Sequence, residues 1–202
     1  MIVDLVQRSL LRRAALRYAD HGWPVFPGAY LASDRYACGP LCPTVACHPA
    51  LDQWEGAAST DAPDVDMWWA RQPYSVLLAT GRAFDVIDVP ARIGLPTSRA
   101  AMLGPVAVST GGRWMFLVEP GDSLRPELED QIDVVKHGPG SWIPAPPTRT
   151  LDGRIRWEVS PAVTDWRLPD PYAVQKTLLA HQAAPARIPT FASTTRGLRR
   201  AA

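Results

Sequence analysis

Apolar residues recur at helical spacing over the first twenty positions. Leu10, Leu11, Ala14, Ala15 and Tyr18 fall on one face, which predicts a helix over residues 3–21 with Gly22 as its stop. Trp23–Pro27 reads as a short proline-bounded strand, and residues 28–58 read as irregular. A second helix is expected from Thr60 or Asp61, with Pro63 in its first turn, Val65, Trp68 and Trp69 along it, and its end before Pro73. The period then shortens. Ser75–Thr80, Phe84–Val89, Pro105–Ser109 and Arg113–Val118 are runs of β-forming residues. Gly81-Arg82 and Gly111-Gly112 look like hairpin turns within the two pairs. A short helix is expected at Leu95–Leu103, strands at Ile132–Val135, Ser141–Ala145 and Ile155–Val159, and a closing helix at Pro171–Gln182. Helices, then hairpins, then a helix form an α+β pattern with a mostly antiparallel sheet.

Composition narrows this picture. With 47% hydrophobic residues among 202, one ordinary domain with a sizeable core is expected at 1–182. Residues 183–202 hold four arginines and no acid, and are expected to be a disordered basic tail. Twenty-one prolines favour many short elements. No apolar run reaches the roughly 20 residues of a membrane span, and arginines interrupt the first helix, so neither a membrane segment nor a signal peptide is expected. The reading is a cytoplasmic protein. A net charge of +1 gives no whole-chain case for nucleic-acid binding, so any such binding needs a local patch. Arg8, Arg12, Arg13 and Arg17 on the first helix are either a solvated face or a phosphate-contacting one.

Three cysteines lie between Cys38 and Cys47, an odd and tight cluster that suits a metal better than a disulfide framework. Cys38, Cys42, Cys47 and His48 offer four ligands, the number a structural Zn²⁺ takes; unliganded thiols are the alternative. Metal-assisted phosphoryl transfer needs carboxylates on one face of a strand. Asp85 and Asp88 are three apart and face opposite ways. Asp88 lies among Val86, Ile87 and Val89, where a carboxylate serves a ligand, metal or cap, or else sits at a solvated edge.

The ordered set Trp23-Pro24-Val25-Phe26-Pro27, Trp68-Trp69, Val76–Gly81, Val86-Ile87-Asp88-Val89, Ser109-Thr110-Gly111-Gly112-Arg113, Asp133 and Ala145-Pro146-Pro147 resembles the N-terminal domain of bifunctional DNA primase/polymerases, in the archaeo-eukaryotic primase superfamily. The resemblance spans about residues 10–160. It implies a sheet of RNA-recognition-motif type with flanking helices and a Cys/His loop. It implies catalytic carboxylates at Asp88 and Asp133, but Pro90 stands where a second strand aspartate is expected and Trp114 where a histidine is expected. Gly111, Gly112, Arg113 and Lys136 are the nucleotide-binding candidates, with His137 an alternative to Lys136.

Proline cannot ligate a metal, so catalysis is expected to be impaired, with the domain retained for single-stranded DNA, nucleotide or protein-partner binding. An enzyme using Mg²⁺ or Mn²⁺ with a rearranged carboxylate, Asp85 or Glu119, is the alternative. A small scaffold or regulatory protein without a nucleic-acid role is another. The lack of an accessory helicase or primase domain is read against a self-sufficient replication enzyme. Trp114 is expected to fill the vacated pocket rather than stack on a base, and Trp157 and Trp166 are expected to pack.

Overall fold

The computed structural model describes residues 2–182 except 40, 41, 43 and 101–103. The tail at 183–202 and the end of the Leu95–Leu103 helix lie outside the described residues. Two antiparallel sheets form the centre. The smaller has the order β1-β4-β9, from Val25–Gly28, Ser75–Ala79 and Trp142–Pro144. The larger has the order β12-β6-β7-β5-β8, from Arg156–Val159, Val106–Val108, Arg113–Val118, Asp85–Pro90 and Val135–His137. Two small hairpins, β2 with β3 (Tyr30–Ala32, Arg35–Ala37) and β10 with β11 (Arg149–Thr150, Gly153–Arg154), complete the strands.

The helices are α1 (Ile2–Asp20), the single turns α2 (Trp54–Ala57) and α5 (Pro126–Glu129), α3 (Ala62–Arg71), α4 (Ala91–Ala100) and α6 (Pro171–Gln182). Asp61 precedes α3 in extended conformation and Pro63 sits in its first turn; Val65 and Trp69, four apart, are its buried residues. The sequence reading missed the elements inside 28–58.

The larger sheet is covered on both faces, so its strands read as continuous apolar runs. Val86, Met115 and Leu117 join Tyr18, Trp23, Trp69 and the smaller sheet in one core. Ile87, Val89, Trp114, Phe116 and Val118 join Ile93, Leu128, Val174 and Leu178 in a second core under α4, α5 and α6. Gly94 makes the second core possible, because a Cβ there would lie 2.4 Å from Trp114 Cβ.

Three sequence expectations are corrected. The pair Ser75–Thr80 and Phe84–Val89 is not a hairpin: β4 pairs with β1 and β9, while β5 pairs with β7 and β8. Gly81 turns the chain from one sheet to the other, its amide donating to Phe84 O at 2.8 Å. The Ile132–Val135 strand shifts to Val135–His137, because Ile132 and Asp133 form a turn and Ile132 is fully exposed. Helix α4 begins at Ala91, directly after Pro90 ends its strand. The Gly111-Gly112 hairpin joins β6 to β7, with Gly112 N–H donating to Ser109 O at 3.1 Å and Gly112 at φ +78°.

Candidate nucleotide pocket and metal loop

Strand alternation decides which residues meet. In β5, Val86, Asp88 and Pro90 share one face, and their partners in β7 are Leu117, Met115 and Arg113. Asp88 therefore opens onto a cavity of about 710 Å³ that Arg113, His137, Ser109, Gly111, Ser141 and Trp142 help to line. That volume is within the range of small-ligand sites.

Arg113 holds Asp88 twice, with Nε donating to Oδ1 at 3.0 Å and Nη2 donating to the Asp88 carbonyl at 3.1 Å. His137 Nε2 lies 3.6 Å from Asp88 Oδ2, and its Nδ1 is 2.9 Å from Ser141 Oγ. An imidazole proton on Nε2, facing the carboxylate, leaves Nδ1 to accept from the serine hydroxyl.

Asp133 is gripped by a different arginine. Arg92 Nη1 and Nη2 donate to its two oxygens at 2.5 and 2.9 Å. This bidentate guanidinium holds the Asp133 carboxyl below the usual carboxylate range. A depressed native value means the pair's contribution is present above the ordinary carboxylate pKa and is lost as pH falls through the native one.

Asp85 faces the other way, beneath the helices. Lys136 Nζ lies 2.9 Å from its Oδ2, which also accepts from Gly121 N–H at 3.1 Å. Lys136 is thus tied to a buried carboxylate, and of the two basic candidates it is His137 that reaches the cavity. Asp85 Oδ1 is buried without a hydrogen-bond partner among the described residues.

Trp114 does not fill the Asp88 pocket. It is paired with Val89 and points into the second core against Gly94, on the opposite face of the sheet. Arg113 is the hairpin residue that reaches Asp88. Trp142, which the sequence placed beside the proposed site, does line the cavity, as does Ser109 of the hairpin motif. The sequence reading missed Ser141 and Arg92. Ser141 had a signal, standing four residues from His137 across a Gly-Pro-Gly turn; Arg92 had none.

A catalytic Mg²⁺ or Mn²⁺ pair does not fit these residues. Asp88 and Asp133 are each paired with an arginine, and the Pro90 side chain brings no oxygen. Among the described residues, the one group of three or more ligating side chains whose atoms lie within 4.8 Å of one another is elsewhere: Cys38, Cys42 and His48.

That second group does fit a metal. His48 Nδ1 is 2.8 Å from Ala46 O, so its proton is used on the backbone and the Nε2 lone pair faces Cys42 Sγ at 3.5 Å. The loop is anchored by Ala29 N–H donating to His48 O at 2.8 Å. Cys47 is not part of the group. It lines the Asp88 cavity beside Ser75, and burial pushes its thiol up to about 11. Its sulfur is not among the ligand atoms that gather within 4.8 Å of one another.

The antiparallel α+β fold, with Asp85 and Asp88 on β5 beside the Gly111-Gly112 hairpin, is compatible with a primase/polymerase-like domain. The family model described as bifunctional DNA primase/polymerase, N-terminal, matches residues 15–174, and the chain belongs to that family. No curated protein matches the chain. Among the described residues, no helix is long and apolar enough to cross a membrane.

Proposed function

We propose that this domain binds a nucleotide in the Asp88 cavity and has lost efficient nucleotidyl transfer. One observation carries the reading: each carboxylate that the resemblance puts at a motif position is paired with an arginine of its own chain, Asp88 with Arg113 and Asp133 with Arg92. A carboxylate so paired must give up its guanidinium before it can hold a divalent ion, and a two-metal clamp needs several free carboxylates. The polar groups that remain suit binding. Arg113 offers guanidinium donors for phosphate, Ser109 and Ser141 offer hydroxyls, and Trp142 offers an apolar wall.

The test has two arms. Template-dependent extension with Mg²⁺ or Mn²⁺ is expected to stay at background, equal in the wild type and Asp88→Ala. Robust extension that Asp88→Ala abolishes would overturn the impaired reading. Calorimetric titration with a deoxynucleoside triphosphate is expected to show binding that Arg113→Ala weakens about tenfold or more, since a charge-assisted phosphate contact is worth about 1.5–3 kcal/mol.

For the loop, we propose that Cys38, Cys42 and His48 hold one structural Zn²⁺, with a fourth ligand from outside the trio. The zinc keeps the loop folded, and the chain's own residues supply two thiolates and an imidazole. The three free cysteines suit a reducing, cytoplasmic setting. Protein purified without chelator is expected to contain one zinc per chain by atomic emission. Cys42→Ser is expected to lose it, while Cys47→Ser is expected to keep it. Equal loss in both would return Cys47 to the ligand set.

A further inference from the structure

A second cavity, of about 270 Å³, lies between α1 and residues 157–166 and shares no lining residue with the Asp88 cavity. Its walls are the rings of Tyr18, Trp157 and Trp166 with Pro146, Pro147 and Pro161, and Arg13 and Arg17 stand at it. The hydrogen-bonding groups of two of the rings are spent internally. Tyr18 Oη donates to Pro146 O at 2.6 Å and accepts from Trp157 Nε1 at 3.1 Å. What the cavity offers a ligand is therefore aromatic surface and guanidinium groups.

The two arginines differ from their neighbour on the helix. Arg12 is paired with Asp66, whereas among the described residues no salt bridge forms at Arg13 or Arg17. Arg17 is held in place instead, its Cζ 5.5 Å from the centroid of the Trp166 ring. The position of Trp166 is itself costly. Asp165 and Trp166 have φ +49° and +59°, a left-handed pair in residues without glycine's freedom. The turn is held by Trp166 N–H donating to Pro161 O at 2.8 Å, and His21 stacks on the indole at 3.6 Å. Backbone strain of this kind gathers at ligand-binding and active sites.

We propose that this cavity takes one nucleotide of a single nucleic-acid strand, with its base against the aromatic wall and its phosphates on Arg13 and Arg17. The inference rests on the proposed nucleotide-binding reading for its class of ligand, and otherwise on the rings and arginines of this cavity. A volume of about 270 Å³ admits a base and its sugar but not a helix, and flat rings with planar guanidinium groups match bases and phosphates.

The experiment is fluorescence anisotropy of labelled oligo-dT, 15 nucleotides long, at several salt concentrations. The wild type is expected to bind. Arg13→Ala/Arg17→Ala, which leaves the core intact, is expected to weaken binding about tenfold or more. It is also expected to reduce the slope of log affinity against log salt by about 1.4, or roughly 0.7 for each lost phosphate contact. Trp166→Ala is expected to lose about 5- to 100-fold and Trp166→Phe much less, which separates stacking from misfolding.

Three results overturn the proposal: no binding by the wild type, equal affinity in the wild type and the arginine variant, or an acidic tryptophan-containing peptide that binds as tightly and with the same losses. The last would make the cavity a protein-docking site. The nucleotide titration reports on the Asp88 cavity separately, so its failure leaves the strand result standing, and the reverse holds too.

Discussion

Replacing Trp69 by alanine is expected to remove about 3–5 kcal/mol of stability and to lower the melting temperature by roughly 6–20 °C. Trp69 is fully buried at the centre of the first core, and its Nε1 donates to Tyr74 O at 2.7 Å. Truncation leaves a large cavity among Val65, Tyr18 and the smaller sheet, and it takes the donor from the half-buried Tyr74 carbonyl. A domain of ordinary stability, about 5–15 kcal/mol, has little reserve against that loss. Its neighbour is the control. Trp68 meets it edge-on at 6.2 Å and is only partly buried, so Trp68→Ala is expected to cost well under half as much. Thermal unfolding followed by circular dichroism decides the matter. Equal shifts for the two variants would contradict the packing described here.

Pro90→Asp is expected to make the largest functional change, raising affinity for Mn²⁺ at least about tenfold as read by calorimetry. Residues 88 and 90 lie on one face of β5, so the substitution builds an i, i+2 carboxylate pair that position 90 now prevents. Arg113 stands opposite position 90 and already bonds Asp88, and one guanidinium cannot neutralise both acids. The surplus charge is what a divalent ion needs. Pro90→Asn, with the same shape and no charge, is expected to leave the affinity at the wild-type level. Turnover is not expected to follow, because Asp133 remains clasped by Arg92. Identical Mn²⁺ affinity in the wild type and the aspartate variant would show that position 90 is not what empties the site of charge.

Much of this fold was legible in the chain. Arg113–Val118 and Pro171–Gln182 have the boundaries their patterns predict, and Val65 with Trp69 marks the buried stripe of α3. What failed was partner choice. The runs at 75–80 and 84–89 are apolar on both faces, so alternation does not say which sheet they join, and nearness along the chain suggested a hairpin. The true neighbour of β4 on one side is β9, more than sixty residues later. The sequence also named Asp88 and Arg113, which share one cavity, and four cysteine-loop ligands, three of which cluster. It could not show that Arg113, not residue 114, faces Asp88, because that depends on strand register. Nor could it show that Arg92 reaches Asp133 across 41 residues.

The ion pairs of β5 and β8 also have a mechanical consequence. Consecutive residues Lys136 and His137 lean to opposite sides of the sheet, one meeting Asp85 beneath the helices and the other meeting Asp88 in the cavity. Slide this three-residue edge strand by one position and the ammonium is thrust into the pocket while the imidazole is left under the helices. Both partnerships break at once. The charges thus act as a two-toothed ratchet that indexes a strand too short to hold its alignment through main-chain bonding alone.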